Sequence, residues 1–388
     1  MSSPETTPEF KIVDLFAGPG GLDMAAHVLG VPVTGVEWDD NACQTRTAAG
    51  LATVKGDVRL LDPGHFDANV LAGGPPCQTF TVAGKGAGRQ ALDQVLDFAR
   101  RMAKGEDVRG ELDALEDERT GLVLEPLRWA LTALADGAPG YDTIVLEQVP
   151  AVLPVWQEYK RILEERGYSA ECTVLHTEEF GVPQTRRRAI LIARKRPADS
   201  VLSDVVEFPK PTHRRFRKGA AQDTHDAGLQ PWVTMGKALK DVRTPYEVVS
   251  NYGTGGDPAA RGRRGHDEPA FTVTGKVSRN WLERPDIPLD PKNKERFGLP
   301  QSGVLQTFPA NYPWRGNDQA QQIGNAIPPR LGVHVLAAAL RRGSGDVEVA
   351  LKTLDTWEPS NGTSTMYSVD EWKQKVASDK QAPVTVGA

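Results

Sequence analysis

The chain has 388 residues, 39% apolar and 25% charged, with a formal net charge of −5, an ordinary composition for a globular protein of roughly two or three domains. No apolar run reaches the roughly 18 residues of a membrane span, and the N-terminus lacks the basic start and apolar stretch of a secretory signal. Three cysteines (Cys43, Cys77 and Cys172), odd in number and without a CxxC, speak against a disulfide framework or a metal site and for a reducing cytoplasm.

In chain order, Phe10 to Gly18 predicts a strand running into a glycine-rich turn, and Gly21 to Gly30 an amphipathic helix. Val31 to Asp40 reads as a second strand ending in acids, with Asp57 at the next strand end. "ANVLAGG" is a further apolar strand, and it leads into "PPCQTF". Helices are expected over Glu125 to Leu134 and Val155 to Gly167, with the strand Asp142 to Val149 between them. Such alternation implies a mostly parallel sheet covered on both faces, with ligands at the carboxyl ends of its strands. From about Lys195 to Lys294 the chain is rich in Pro, Gly and Arg and reads as a second, smaller domain; after Gly343 it reads as a polar tail without assigned function.

Charge is uneven. Between Arg186 and Lys218 lie eleven Lys/Arg against three Asp/Glu, and between Glu106 and Glu118 seven acids against one Arg. A basic stretch is usually a solvated face, so it leaves a polyanion partner open without demanding one. The acidic stretch reads as an exposed helical excursion.

Four sites stand out. In "DLFAGPGGLDMA" the dinucleotide fingerprint fails, because Asp23 occupies the third glycine's place. Glu37 offers a carboxylate for ribose hydroxyls, Trp38 a face for adenine, and Asp57 a further acid. This edge suits a cationic adenosine without phosphates, such as S-adenosylmethionine. At the second site Pro75 and Pro76 fix the backbone ahead of Cys77, a setting that suits a nucleophile held at one angle. A buried structural thiol is the blander reading. The third site is Glu147, at the end of an apolar strand, where an acid must be paired or stay protonated. At the fourth, Gln184, Arg186 and Arg188 alternate as one face of a strand would present them.

Together, "DLFAGPGGL", "VEWD", "GDV", "GGPPCQTFTVAGK", "EQVPAV", "GVPQTRRRAILIA" and "QQIGNAIPP" resemble, in order, the motifs of the cytosine-C5 DNA methyltransferase family. The resemblance covers about Lys11 to Ala193 and Phe297 to Leu340. It implies an α/β fold: a Rossmann-like S-adenosylmethionine-dependent methyltransferase sheet with a second, smaller target-recognition domain. The implied parts are a catalytic domain over 10–194 and 297–342, target recognition over 195–296, and the polar tail 343–388. By resemblance Cys77 attacks carbon 6 of a flipped cytosine, Glu147 contacts ring nitrogen 3, and Arg188 contacts the base, with Gln184 and Arg186 organising the pocket. Phe16, Gly18, Gly20, Gly21, Glu37, Trp38, Asp57, Pro75 and Asn325 would bind S-adenosylmethionine. Gln78, Gln184, Lys276 and Arg279 would meet the DNA. The expected partner is duplex DNA bound by a cytoplasmic monomer, with a restriction endonuclease acting on the same site. A tRNA-directed enzyme and a non-catalytic DNA-binding relative are the alternatives. Two departures matter: Gln148 replaces the family's usual Asn, and the 84–119 stretch is longer than the loop that normally closes over DNA.

Overall fold

The computed structural model describes residues 10–76, 87–115, 119–197, 205–220, 228–250, 261–276, 279–288, 294–359 and 365–381. Strands β1 (Ile12–Leu15), β2 (Val33–Glu37), β3 (Thr53–Lys55), β4 (Val70–Gly73), β5 (Thr143–Gln148), β6 (Tyr168–His176), β7 (Arg187–Lys195) and β11 (Met366–Ser368) form one sheet in the order β11-β3-β2-β1-β4-β5-β7-β6. Neighbours pair in parallel except β7, which runs antiparallel to both β5 and β6. The central strands are apolar along their length because both faces are covered. On β1, Ile12 enters one buried cluster, and Val13 and Leu15 enter the other.

The first face holds α1 (Gly21–Val28) and α8 (Pro329–Ala339), which pack directly on each other through Gly332 and Ala25. The opposite face holds α3 (Ala87–Ala103), α4 (Glu125–Ala133) and α5 (Leu153–Glu164), with Phe98, Trp129, Trp156 and Tyr159 in its core. Helix α5 carries Pro154 in its first turn, where the missing N–H costs nothing, and stops before Gly167 at φ 87°.

The small antiparallel sheet β10-β8-β9 comprises β8 (Glu247–Val249), β9 (Arg263–Gly265) and β10 (Trp281–Glu283). Its Val248 and Leu282, with Met235 and Tyr246, share a buried cluster with Leu331 and Val335 of α8. This sheet is therefore docked on the large one through a common core.

Two expectations change. The 84–119 stretch is more than an extended loop, for α3 buries Val95, Phe98 and Ala99 against the large sheet's helices. Of its acidic run, Glu106 and Glu111 are held by Arg101 at 2.8 and 2.5 Å. The stretch after Gly343 is likewise structured. It forms α9 (Ser344–Asp355), the edge strand β11 and α10 (Val369–Gln381). It reads as a tail because few residues, among them Ala350, Leu354, Val369 and Trp372, anchor otherwise polar helices.

Candidate active site

The turn after β1 is built on unusual backbone. Phe16 (φ 59°), Gly18 (φ 55°) and Gly20 (φ 100°) all take left-handed conformations, which bend the chain sharply into α1. For Phe16 this conformation is strained and must be held by its surroundings. Gly21 is required for a different reason: a Cβ there would lie 2.3 Å from the Ile327 carbonyl oxygen. The turn is tied to β2 by Glu37, whose carboxylate accepts from the N–H groups of Gly18 (2.7 Å), Trp38 (2.8 Å) and Asp39 (2.8 Å). Burial raises the Glu37 carboxyl above its ordinary value against the pull of those donors. Trp38 beside it is 67% exposed, a large apolar face turned to solvent.

Sequence reasoning missed what lies beneath this turn. Arg46 of α2 (Asp40–Ala48) makes a bidentate pair with Asp23, at 2.9 and 2.6 Å, both side chains fully buried. Burial opposes the Arg46 charge, but Asp23 outweighs it and raises the guanidinium further. Asp14 lies in the same cluster, its carboxyl raised by burial first and Asp23 second. Asp23 at the failed third-glycine position was the available signal; nothing in the sequence marked Arg46 as its partner.

Asp57 follows β3 and accepts from Arg59 Nε and Nη2, the latter at 2.6 Å. Burial would raise its carboxyl, and the Arg59 contacts more than offset this and hold it below the ordinary range.

The acid Glu147, one residue before the end of β5, lies beside the turn that leaves β4. A Cβ on Gly74 would stand 3.4 Å from Glu147 Oε2, an ordinary contact distance that places this turn directly against the carboxylate. Arg188 Nε lies 2.5 Å from Glu147 Oε1, a contact that is an ion pair more than an aligned hydrogen bond. Gln148 donates to the Pro75 carbonyl at 2.5 Å and accepts from the Val149 N–H, so its longer side chain still ties β5 to the turn. Pro76 is the last described residue there; Cys77 and Gln78 lie outside the described residues.

The alternation of Gln184, Arg186 and Arg188 is present as buried positions, with Arg187 exposed between the arginines. Gln184 is fully buried: Nε2 donates to Leu305 O (2.8 Å) and Gln306 Oε1 (2.5 Å), and Oε1 accepts from Val273 N. Both ends of its amide are thus engaged within the protein. Arg186 donates to Val273 O (2.7 Å), Gly324 O (2.8 Å) and Ala326 O (3.1 Å). It too is buried, and among the described residues it forms no ion pair. Burial first, and Arg188 second, push its guanidinium well below the ordinary value.

Arg186 thereby joins three stretches remote in sequence. The loop Val273–Lys276 lies against α7 (Gln319–Asn325), with a would-be Cβ of Gly324 only 2.1 Å from Gly275 N. Lys276 is exposed on this loop, and Arg279 is exposed just beyond it in sequence. Asn325 ends α7 and accepts from Gln321 at 2.8 Å, two residues before the Ile327 that abuts Gly21.

Fold and site define a Rossmann-like α/β enzyme with an acidic, glycine-rich ligand edge beside an acid–arginine pair. The chain matches the model of the C-5 cytosine-specific DNA methylases over residues 10–101 and 142–341, and it belongs to that family of DNA-modifying enzymes. It is 25% identical over 361 residues to the type II methyltransferase M1.HphI of Haemophilus parahaemolyticus, covering 86% of this chain and 87% of that protein. To M.NgoFVII of Neisseria gonorrhoeae it is 27% identical over 374 residues, covering 85% and 86%. The fold is also that of the Schizosaccharomyces pombe Dnmt2 methyltransferase, at a TM-score of 0.57 and 16% identity, covering 86% of this chain and 98% of that one.

Proposed function

We propose that this enzyme methylates carbon 5 of a cytosine turned out of duplex DNA at one sequence, through a covalent adduct at Cys77. The observation that carries the reading is Glu147, held by Arg188 at 2.5 Å against the Gly74–Pro75 turn that leads to Cys77.

The edge at β1, β2 and β3 fits S-adenosylmethionine. Its donor set is acidic, with Glu37 and Asp57, and the place where a pyrophosphate-binding turn needs glycine holds Asp23, already paired with Arg46. Phe16, Gly18, Gly20, Gly21, Glu37, Trp38, Asp57, Pro75 and Asn325 are the residues assigned to hold it. When bound, S-adenosylmethionine supplies an electrophilic methyl group, which carbon 5 takes up.

The protein's own residues make carbon 5 reactive. The Cys77 thiolate adds to carbon 6, and the electrons move toward carbon 5 and the ring's N3 edge. Glu147 sits at that edge and hydrogen-bonds N3, while Arg188 holds the acid and faces the base. Loss of the carbon-5 proton then expels the thiolate. Turning the base out of the stack costs a few kcal/mol. Residues 195–296 act as the target-recognition domain, with Lys276 and Arg279 as base-reading candidates. A restriction endonuclease of the same specificity is the expected companion, since the relatives above are named type II methyltransferases.

The test is to incubate purified protein with methyl-labelled S-adenosylmethionine and either duplex DNA or tRNA. Label in the 5-methylcytosine of duplex DNA supports the reading; label in tRNA alone, or in neither, overturns it.

A further inference from the structure

Helix α10 and strand β11 lie beyond residue 341, where the family match ends. They press on the loop that leaves β3 and carries Asp57. Strand β11 extends β3 in parallel register, Met366 on Thr53, Tyr367 on Val54 and Ser368 on Lys55. The next residue on each side, Val369 and Gly56, meet so closely that a Cβ on Gly56 would lie 2.2 Å from Val369 Cγ2. Ser368 N–H donates to Glu371 at 2.7 Å and fixes the start of α10. Further along, Trp372 Nε1 donates to the His65 carbonyl at 2.9 Å, and its ring packs on Phe66 with centroids 5.4 Å apart. Lys380 donates to the Gly64 carbonyl at 3.1 Å. From the other side Arg128 of α4 donates to the carbonyls of Val58 (3.0 Å) and Leu61 (2.9 Å). The loop from Gly56 to Phe66 is thus clamped between α4 and the C-terminal unit, with Asp57 at its start.

We propose that β11 and α10 form a brace that positions Asp57 for S-adenosylmethionine, with Val369 and Trp372 as its positioning residues. The inference rests on the reading of Asp57 as a cofactor contact. Neither Val369 nor Trp372 touches a reacting group. They act by holding the backbone of Gly56 and His65, so their removal loosens one carboxylate and leaves the Glu147 site alone. A brace of this kind changes affinity for one substrate, whereas a merely stabilising one changes the fraction of folded enzyme.

The experiment uses the full-length protein, wild type against Val369→Ala/Trp372→Ala and Trp372→Phe, with initial rates and thermal unfolding measured together. The double variant is expected to raise KM for S-adenosylmethionine about tenfold, with kcat and KM for DNA within about twofold, and Trp372→Phe, which keeps a ring against Phe66 but loses the donor to His65, to raise it by less. An unchanged KM for S-adenosylmethionine overturns the proposal, whatever happens to Tm, as does a fall in kcat alone. Should the double variant fail to fold, Val369→Ala and Lys380→Met measured singly give the same reading, and an unchanged KM in both overturns it. A wild-type enzyme that does not bind S-adenosylmethionine would instead overturn the function proposed above.

Discussion

In the proposed mechanism Glu147 and Cys77 carry separable parts of the chemistry, and single substitutions tell them apart. Cys77→Ser replaces a thiolate by a far weaker nucleophile and should abolish methyl transfer while leaving S-adenosylmethionine affinity intact. Glu147→Gln keeps the shape but removes the charge that faces Arg188 at 2.5 Å. It should lower kcat by about 10²-fold. Duplexes containing 5-fluorocytosine should trap a covalent adduct with wild type and none with Cys77→Ser; an adduct in both would remove Cys77 as the attacking group. A second acid, Glu178, should affect stability. Burial lifts its carboxyl to about 7, and its Oε2 finds no hydrogen-bond partner among the described residues. His176 beside it is pushed down to about 4, by burial and then Arg215 and Arg187, so it stays neutral across the relevant range. An acid that holds its proton more tightly folded than unfolded contributes stability below its ordinary pKa of 4.5, and loses it as pH rises to about 7. Wild type should therefore lose about 1–3 kcal/mol over that window from this group. Glu178→Gln should flatten the decline and raise Tm at pH 8; parallel Tm profiles for the two proteins would rule Glu178 out as the source.

At the scale of elements, what the sequence made legible was what local pattern encodes. The strand–helix alternation, the glycine turn and the acid near the end of β5 all follow from apolar periodicity and from residue types with restricted backbones. The pairing of Asp23 with Arg46 was not legible, because α2 is polar and Arg46 reads as a solvated side chain. Nor was β11, a strand of three residues whose pairing with β3 spans more than three hundred positions. The meeting of α7 with the loop Val273–Lys276 was equally hidden, since backbone proximity leaves only a glycine as its trace. That contact makes its own prediction. A Cβ on Gly324 would meet Gly275 N at 2.1 Å and the Thr274 carbonyl carbon at 2.4 Å, both backbone atoms that cannot rotate away. Gly324→Ala must therefore part α7 from the loop and disturb the carbonyls that Arg186 binds, costing about 1–3 kcal/mol. A Cβ on Gly18 would meet nothing within 4 Å, so Gly18→Ala carries only backbone strain at φ 55°, about 1–2 kcal/mol. Denaturant unfolding should find Gly324→Ala no less destabilised than Gly18→Ala, with the larger loss of methylation specificity; the reverse order in both would mean the loop contact contributes little.

For the whole molecule, a net charge of −5 does not preclude a polyanion partner, because one stretch, Arg186 to Lys218, carries a local excess of eleven Lys/Arg over three Asp/Glu. The basic run Arg214–Lys218 lies alongside the small sheet, with Lys218 donating to the Arg263 carbonyl of β9 at 3.1 Å. Arg215 is held there by His176 at 2.7 Å, which joins the run to the end of β6. Lys276 lies on the separate loop that Arg186 ties to β7, and Arg279 just beyond it in sequence. Phosphate contacts set position and base contacts set sequence, so the two groups should fail differently. Neutralising Arg214, Arg215 and Arg217 together should weaken binding to every duplex and flatten its salt dependence, by roughly 0.9 in logarithmic slope for each phosphate that is no longer neutralised. The change should fall short of three full phosphates, because Arg215 already spends part of its hydrogen bonding on His176. The methylated sequence should stay the same. Replacing Lys276 and Arg279 should leave the slope nearly intact and relax the accepted flanking bases, each bidentate pairing removed lowering discrimination by about 1–3 kcal/mol. Bisulfite sequencing of a randomised duplex pool, read beside binding isotherms at several salt concentrations, separates the two. A changed site with the arginine run neutralised, and an unchanged one with the loop altered, would exchange the roles assigned here.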